Sequence, residues 1–266
     1  MFGCAGNATI EASSADVDVY SKKNYVGGLF GYSKKVQVRN CWTAGSIYGD
    51  QRVGGIAGGI NGVGDEIVNC YSVAQIYIFD EDNNKVYGCA RSVGGIVGHA
   101  NQDKADEMET RMPENVISGC IAWEDEIKTR SYIGAPNFSE HNYYSSGAIV
   151  AFGATHNTYA NCYRRADLDF RDYNDAFVLY DQDNSSPTNP LVIKKIEGAG
   201  YNYPYHGKAA PAGATLTQVA QTIGWSTAIW NFSGDIPTIR PDAQAGPVPD
   251  TTADGNLPGF DENDIN

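Results

Sequence analysis

Apolar and polar positions alternate with a period of two through the middle of the chain. Cys70, Ser72, Ala74, Ile76 and Ile78 share one phase, while Tyr71, Val73, Gln75, Tyr77 and Phe79 share the other. That period belongs to β-strands, whose successive side chains point to opposite faces. Both phases are apolar enough that both faces are predicted to be covered. Carried on from Cys120, the same phase would put Glu124 and Glu126 where Cys120 and Ala122 point, so a bulge or an early strand end is predicted near Trp123.

The alternating segment recurs, each time behind a glycine-rich strand. VGGLFG (26–31) leads to NCW (40–42), VGGIAG (53–58) to NCY (69–71), VGGIVG (93–98) to GCI (119–121), and the weaker SGAIVA (146–151) to NCY (161–163). The unit is constant and the insertions are not. Extra length falls in 77–92, 99–115 and 124–145, all polar and turn-rich, as loops leaving a stacked core should be. A partial copy lies upstream: Phe2 and Gly3 match the tail of a Gly-Gly strand, and 10–19 aligns with 38–47, with Ser13 in place of Cys. The chain thus begins in mid-repeat, and a further N-terminal part is expected in the parent protein. A unit of this kind cannot bury its apolar face unless a neighbour stacks on it. Thirty glycines, many at fixed repeat positions, suit tight corners and close backbone approach. The predicted architecture is all-β, a right-handed parallel β-solenoid of the β-helix type, with an irregular multi-sheet stack as the alternative.

Residues 215–240 have a different pattern. Thr215 with Gln218 fits a capping box, Leu216, Val219, Ala220 and Ile223 fall on one helical face, and Gly224 stands where a helix stop belongs. Trp225, Ile229, Trp230, Phe232 and Ile236 follow as bulky apolar cover. An open solenoid end needs such cover to avoid pairing with another chain. The segment is predicted to be a short helix within a Trp-rich C-terminal cap.

These residues resemble a known family. VGGIVG followed by NCY resembles the GLUG repeat, found in bacterial surface and secreted proteins and beside the peptidase region of some immunoglobulin A proteases. TLTQVAQTIGWSTAIWNFSGDIPTIR (215–240) is similar to the Gly-Trp, Ile-Trp, Pro-aliphatic element that often closes such repeats. The resemblance spans about 1–165 and 215–240, and 166–214 align to nothing. The organisation expected is GLUG-type repeats over 1–165, a connector and cap over 166–240, and a tail over 241–266. That tail has prolines at 241, 247, 249 and 258 and many acids; a solvated tail is preferred over a cation site at Asp261, Glu262 and Asp264.

Charge narrows the partners. A formal net charge of −13 and a pI near 4.6 disfavour nucleic acid and anionic membrane. No apolar run is long enough for a transmembrane helix, so no membrane insertion is expected within this chain.

Cys41, Cys70, Cys120 and Cys162 share one repeat position, so stacking would align them about 4.8 Å apart in a buried structural ladder. Disulfides are conceivable at that spacing. Cys4 and Cys89 lie outside the ladder. Zinc is disfavoured, since there is no C-x-x-C or nearby Cys/His pair.

Catalytic constellations are absent from the sequence. The zinc motif of the immunoglobulin A protease family, H-E-x-x-H, is missing, because His99, His141, His156 and His206 precede Ala, Asn, Asn and Gly. No G-x-S-x-G elbow or P-loop appears. Polysaccharide-active β-helices carry paired carboxylates, for which the best candidates are Asp167, Asp169 and Asp172, near Arg164, Arg165 and Arg171. Among 32 acids such clusters arise freely, and solvated charge is the preferred reading. Asp80, Asp82 and Asn84 begin like a calcium loop, but Lys85 replaces the turn glycine and Arg91 the closing Glu. A looser calcium site there, or at Asp181, Asp183 and Asn184, is the weaker alternative to an acidic turn; no cofactor or metal is expected.

Aromatic residues carry the binding argument. Trp42, Tyr71, Ile121 and Tyr163 follow the ladder cysteines and should form a row interrupted once, which either packs under a neighbouring element or offers flat rings to a ligand. Tyr143, Tyr144, Tyr201, Tyr203 and Tyr205 are expected in loops and are the candidate ligand-binding residues. The expectation is a non-catalytic module, extracellular or on the cell surface, acting as adhesin, stalk or binder of a host glycan or surface protein. The alternatives are a carbohydrate-active β-helix enzyme and an accessory domain of a surface peptidase.

Overall fold

A computed structural model describes residues 2–22, 24–60, 64–78, 91–100, 115–128, 144–153, 157–171 and 206–243. Nearly all of their strands are parallel and are arranged in four sheets through which the chain passes repeatedly. The first passage supplies Phe2–Glu11, Ser14–Asp16, Val19–Tyr20 and Tyr25–Gly27, one strand for each of sheets A, B, C and D. The second supplies Phe30–Arg39, Trp42–Ala44, Ser46–Gly49 and Arg52–Gly54. Five such turns stack, and the register pairs like with like: Ile10 with Val38, Val38 with Ile67, Ile47 with Ile76, Val53 with Val93. The upstream partial copy is confirmed by Phe2 opposite Phe30 and Val19 opposite Ile47.

The repeated sequence explains each corner. The residue before each cysteine has a left-handed backbone, with φ of 54° at Asn40, 52° at Asn69, 62° at Gly119 and 52° at Asn161. Asn and Gly tolerate that conformation best, which is why the repeat reads Asn-Cys or Gly-Cys. At the other corner the Gly-Gly pair permits direct backbone contact between turns. A Cβ on Gly55 would collide with the Gly95 carbonyl oxygen and Ser72 Oγ. Gly55 N donates to Gly95 O at 3.1 Å and Gly95 N to Gly147 O at 3.1 Å, so the inter-turn ladder continues around the bend.

The core is the interior of this stack. Val26, Val53 and Val93, then Ile56, Ile96 and Ile149, then Ile47, Ile76 and Ile127 are all buried in one cluster. The cysteine ladder is as expected: Cys41, Cys70, Cys120 and Cys162 are fully buried free thiols. Each thiol donates to the carbonyl two residues back, at 3.1 Å for Arg39 O, 3.3 Å for Val68 O, and 3.4 Å for both Ser118 O and Ala160 O. Burial, reinforced by the neighbouring thiols, pushes the Cys70 thiol well above its usual range. Cys4 is exposed, and Cys89 lies outside the described residues.

Insertions leave from two fixed places. One is midway along sheet A, where the ten-residue strand of the first two turns becomes two strands, Ala57–Ile60 and Glu66–Val68 in the third turn. The other lies between sheets C and D, after Gln75–Ile78 and after Glu126–Lys128. Wherever sheet A is interrupted, an Asp or Asn stands five residues before the cysteine: Asp65, Asn115 and Asn157, all buried. Asp65 Oδ1 accepts from Val36 N at 2.6 Å, Asn115 Oδ1 accepts from Asp65 N at 2.9 Å, and Asn157 Nδ2 donates to Ala100 O at 2.9 Å. These side chains satisfy backbone groups that the interruption would leave buried and unpaired.

The helix forms at Leu216–Thr222 with both capping-box bonds, Gln218 N to Thr215 Oγ1 at 3.2 Å and Thr215 N to Gln218 Oε1 at 2.9 Å. Gly224 has a φ of 84°, as the stop requires. The placement of the Trp-rich segment corrects the expectation of an end cap. It lies along the flank of sheet B, where Trp225, Trp230, Leu216, Val219 and Ala220 bury Tyr71 and Ile121 and pack on Trp42 and Tyr163. Trp225 Nε1 donates to Gly119 O at 3.0 Å, Tyr71 Oη to Pro237 O at 2.8 Å and Trp230 Nε1 to Asn40 Oδ1 at 3.3 Å, spanning three turns. The physical reason is the aromatic row itself, the larger apolar surface in need of cover. The last turn is extended instead by Lys208–Ala209, which pairs with Tyr163–Arg164. Beneath it the buried His206 accepts from Ala148 N through Nδ1, and Arg164 donates to Gly207 O at 2.8 Å.

Two measurements check this arrangement. Thiol labelling of native protein should leave Cys41, Cys70, Cys120 and Cys162 unreacted while Cys4 reacts, with all four appearing on unfolding without reductant. Trp225→Ala and Trp230→Ala should each lower unfolding stability by about 3–5 kcal/mol and raise binding of a hydrophobic dye, since each uncovers the Tyr71 row; unchanged denaturation midpoints would refute the buttress.

Candidate functional site

The sequence-nominated ligand residues fall largely outside the described part of the protein. Tyr143, Tyr201, Tyr203 and Tyr205 are there, as are Asp80, Asp82, Asn84, Asp172, Asp181, Asp183 and Asn184. Tyr144 opens a strand of sheet D, Tyr144–Gly147, and is not a loop residue. The row after the cysteines is the covered face described above.

A second aromatic row occupies the outward face of sheet C. Tyr20, Tyr48 and Tyr77 are in register on successive turns, while Val19, Ile47 and Ile76 between them point inward. Ring centroids are 6.4 Å apart for Tyr20–Tyr48 and 4.6 Å for Tyr48–Tyr77. Tyr20 is 62% exposed, the most exposed large hydrophobic residue among those described, and Tyr48 and Tyr77 are half-buried. Lys128 takes the next register position, so Tyr77 is the last ring of the stack. Its hydroxyl donates to Gln75 Oε1 at 3.0 Å, and partial burial, with Tyr48 and Glu126 adding, raises its pKa above the ordinary value. The sequence carried a signal for this row: each of these tyrosines stands seven residues beyond Ser13, Cys41 or Cys70.

Beside Tyr77 is a cleft of about 410 Å³, lined by Val73, Gln75, Tyr77, Trp123, Asp125, Glu126, Arg165 and Ile236. Ile236, expected as apolar cover, is instead 46% exposed at this cleft. A second cavity of about 370 Å³, between Tyr163 and the helix, is lined mainly by small residues 211–214.

The cleft sits where the repeat changes length. Ser13 to Val19, Cys41 to Ile47 and Cys70 to Ile76 are equal steps, but Cys120 reaches Ile127 and Cys162 reaches Phe170 to keep the same register. The strand ends at Ala122, as predicted, and one added residue turns Asp125 outward while Glu124 takes the inward place of Ala74. The added residues of the next turn carry Asp167. Arg165 bridges the two turns, bonded to Asp125 and in a two-pronged contact with Asp167 at 2.7 and 3.1 Å. Asp167 is thus engaged by Arg165, and Asp169 stands in register with Glu126 in sheet C. Among the described residues no group of three His, Cys, Asp or Glu is placed to hold a metal.

Glu124 is 1% exposed, and neither carboxyl oxygen is held in a well-formed hydrogen bond, although its own backbone and the Ser72 hydroxyl lie close enough to interact with it. Burial pushes its pKa well above the usual range, offset only partly by its own backbone and by Ser72.

Comparison with known proteins identifies a fold. No protein-family model and no curated protein matches the chain. A solved structure of a "putative immunoglobulin A1 protease" from Bacteroides ovatus superposes with a TM-score of 0.58 at 20% identity, covering 87% of this chain. This chain spans 57% of that protein. The likeness extends to the fold.

Glu124 generates a pH prediction. Its carboxyl keeps its proton to higher pH folded than unfolded, so its contribution to stability is complete in acid. That contribution is lost as pH rises from the ordinary value of 4.5 through the raised folded value. Glu124→Ala should therefore gain about 1–3 kcal/mol over the native chain at alkaline pH, and the gain should shrink toward pH 4. Chemical denaturation across that range measures it, and a pH-independent difference would refute the buried, unpaired acid.

Proposed function

We propose that this chain is a non-catalytic binding module of a secreted or cell-surface bacterial protein, its GLUG-type repeats wound as a right-handed β-solenoid. The observation that carries the reading is the tyrosine ladder of sheet C. Three rings in register on a backbone with inter-turn hydrogen bonds, Tyr48 stacked on Tyr77 and Tyr20 tilted against Tyr48, form a ridge of ring edges and hydroxyls ordered before any ligand arrives. Aromatic residues of this kind supply contact area at low entropic cost and suit sugars and protein surfaces alike. The partner class is a host glycan or surface protein; the acidity disfavours nucleic acid. No helix among the described residues is long and apolar enough to cross a membrane. A second reading, an accessory domain of an immunoglobulin A protease-like peptidase, draws on the structural likeness reported above.

A glycan array with parallel hydrolysis assays tests the proposal. The native chain should bind without turnover, and the double variant Tyr48→Ala Tyr77→Ala should lose binding at least about tenfold while retaining its thermal transition. Turnover of a polysaccharide that disappears in Asp167→Asn Asp169→Asn would replace this reading with a glycan-active enzyme.

A further inference from the structure

We infer that the cleft at the corner of sheets B and C is a sugar subsite selective for uncharged glycan ends; the inference rests on the binding-module reading. Four observations converge there. The last ring of the tyrosine ladder, Tyr77, forms one wall and Trp123 another, and aromatic walls are what the apolar faces of pyranose rings pack against. Its volume of about 410 Å³ lies within the roughly 300–1,000 Å³ of small-ligand sites.

The polar lining is hydrogen-bonding and acidic. Gln75, its amide oxygen already accepting from Tyr77, keeps its amide N–H groups for a ligand hydroxyl. Asp125 and Glu126 supply acceptors, and hydroxyls of a neutral sugar are the natural donors to them. The single arginine does not make the site cationic, because Arg165 is shared between Asp125 and Asp167. Lys128 lies 4.0 Å from Glu126 and offsets part of its charge, so the three carboxylates of Asp125, Glu126 and Asp167 face two cations, and a carboxylate-bearing sugar would meet a negative balance on a chain whose net charge is already −13.

The fourth observation is the cost of building the cleft. The added residue that turns Asp125 outward goes with a buried Glu124 whose carboxyl has no well-formed hydrogen bond, a feature that destabilises a fold. The preceding turn, with Ala74 in that place, shows that the fold does not require it. Local departures from an otherwise consistent repeat concentrate at functional sites.

The test uses the full chain and one immobilised oligosaccharide in two forms, ending in galactose or capped with sialic acid. The galactose-ended form should bind, and the sialylated form at least about tenfold more weakly. Trp123→Ala should lose about tenfold or more, Trp123→Phe should retain most of the affinity, and Asp125→Asn Glu126→Gln should narrow the discrimination against sialic acid. Equal or tighter binding of the sialylated form overturns the inference. So does native affinity in Trp123→Ala while Tyr48→Ala Tyr77→Ala loses binding, an outcome that leaves the binding-module reading standing. Absence of binding to any neutral or acidic glycan on a wider panel overturns the inference and leaves the binding-module reading with a protein partner alone.

Discussion

Everything in this molecule depends on the parallel hydrogen-bond ladder from each turn to the next. It runs through strands and through bends: Trp42 N donates to Ser13 O at 3.1 Å, Tyr71 N to Cys41 O at 3.1 Å, Ile121 N to Cys70 O at 2.9 Å and Tyr163 N to Cys120 O at 2.9 Å. A ladder in register stacks each residue on its counterpart, so one good choice at a repeat position is rewarded again in every turn. Small thiols fit the column beside the left-handed Asn or Gly, and each finds a carbonyl two residues back. Insertions are tolerated only where the ladder can re-form beyond them. In sheet A the re-entry point is paired by Asp65, Asn115 and Asn157, whose side chains replace lost backbone partners.

The stack has a thin core, and lateral cover completes it. Trp42, Tyr71, Ile121 and Tyr163 turn one face of sheet B into an apolar strip, and the helix with Trp225 and Trp230 seals that strip along the stack. Because Trp225 bonds to Gly119 and Trp230 to Asn40, the segment also ties separate turns together. A pure repeat stack gains stability one neighbour at a time; a buttress spanning several turns couples them into a more cooperative unit.

The reach and limits of the sequence follow from these two forces. Repeat spacing made the parallel stack, the buried cysteine column and the strand end near Trp123 legible, because periodicity reports what the ladder demands. The capping box of Thr215 and Gln218 was equally local and equally legible. Alternation around Tyr71 showed that both faces of the strand are covered, but not by what, since that depends on contacts 106 and 166 residues apart in the chain. Hence the Trp-rich segment was expected over an end and lies on a flank. The tyrosine ladder is less conspicuous in the sequence because Tyr20, Tyr48 and Tyr77 stand seven residues beyond Ser13, Cys41 and Cys70, away from the Asn-Cys signature, on the face that nothing in the described structure covers.

The cleft joins these threads. Turns one to three take the same number of residues around the corner between sheets B and C; the fourth and fifth take more and still re-enter register at Ile127 and Phe170. Surplus backbone at that corner has to leave the interior, and it carries Asp125 and Asp167 outward, where Arg165 fastens the two bulges together. The inward cost is Glu124, an acid in a place filled by alanine one turn earlier. Ladder and core would both be better served by a six-residue corner in every turn. The longer corner instead aligns with the end of the tyrosine stack, so that regular and irregular parts of the repeat meet at one surface: the rigid ladder supplies the aromatic wall, and the bulges supply the polar groups.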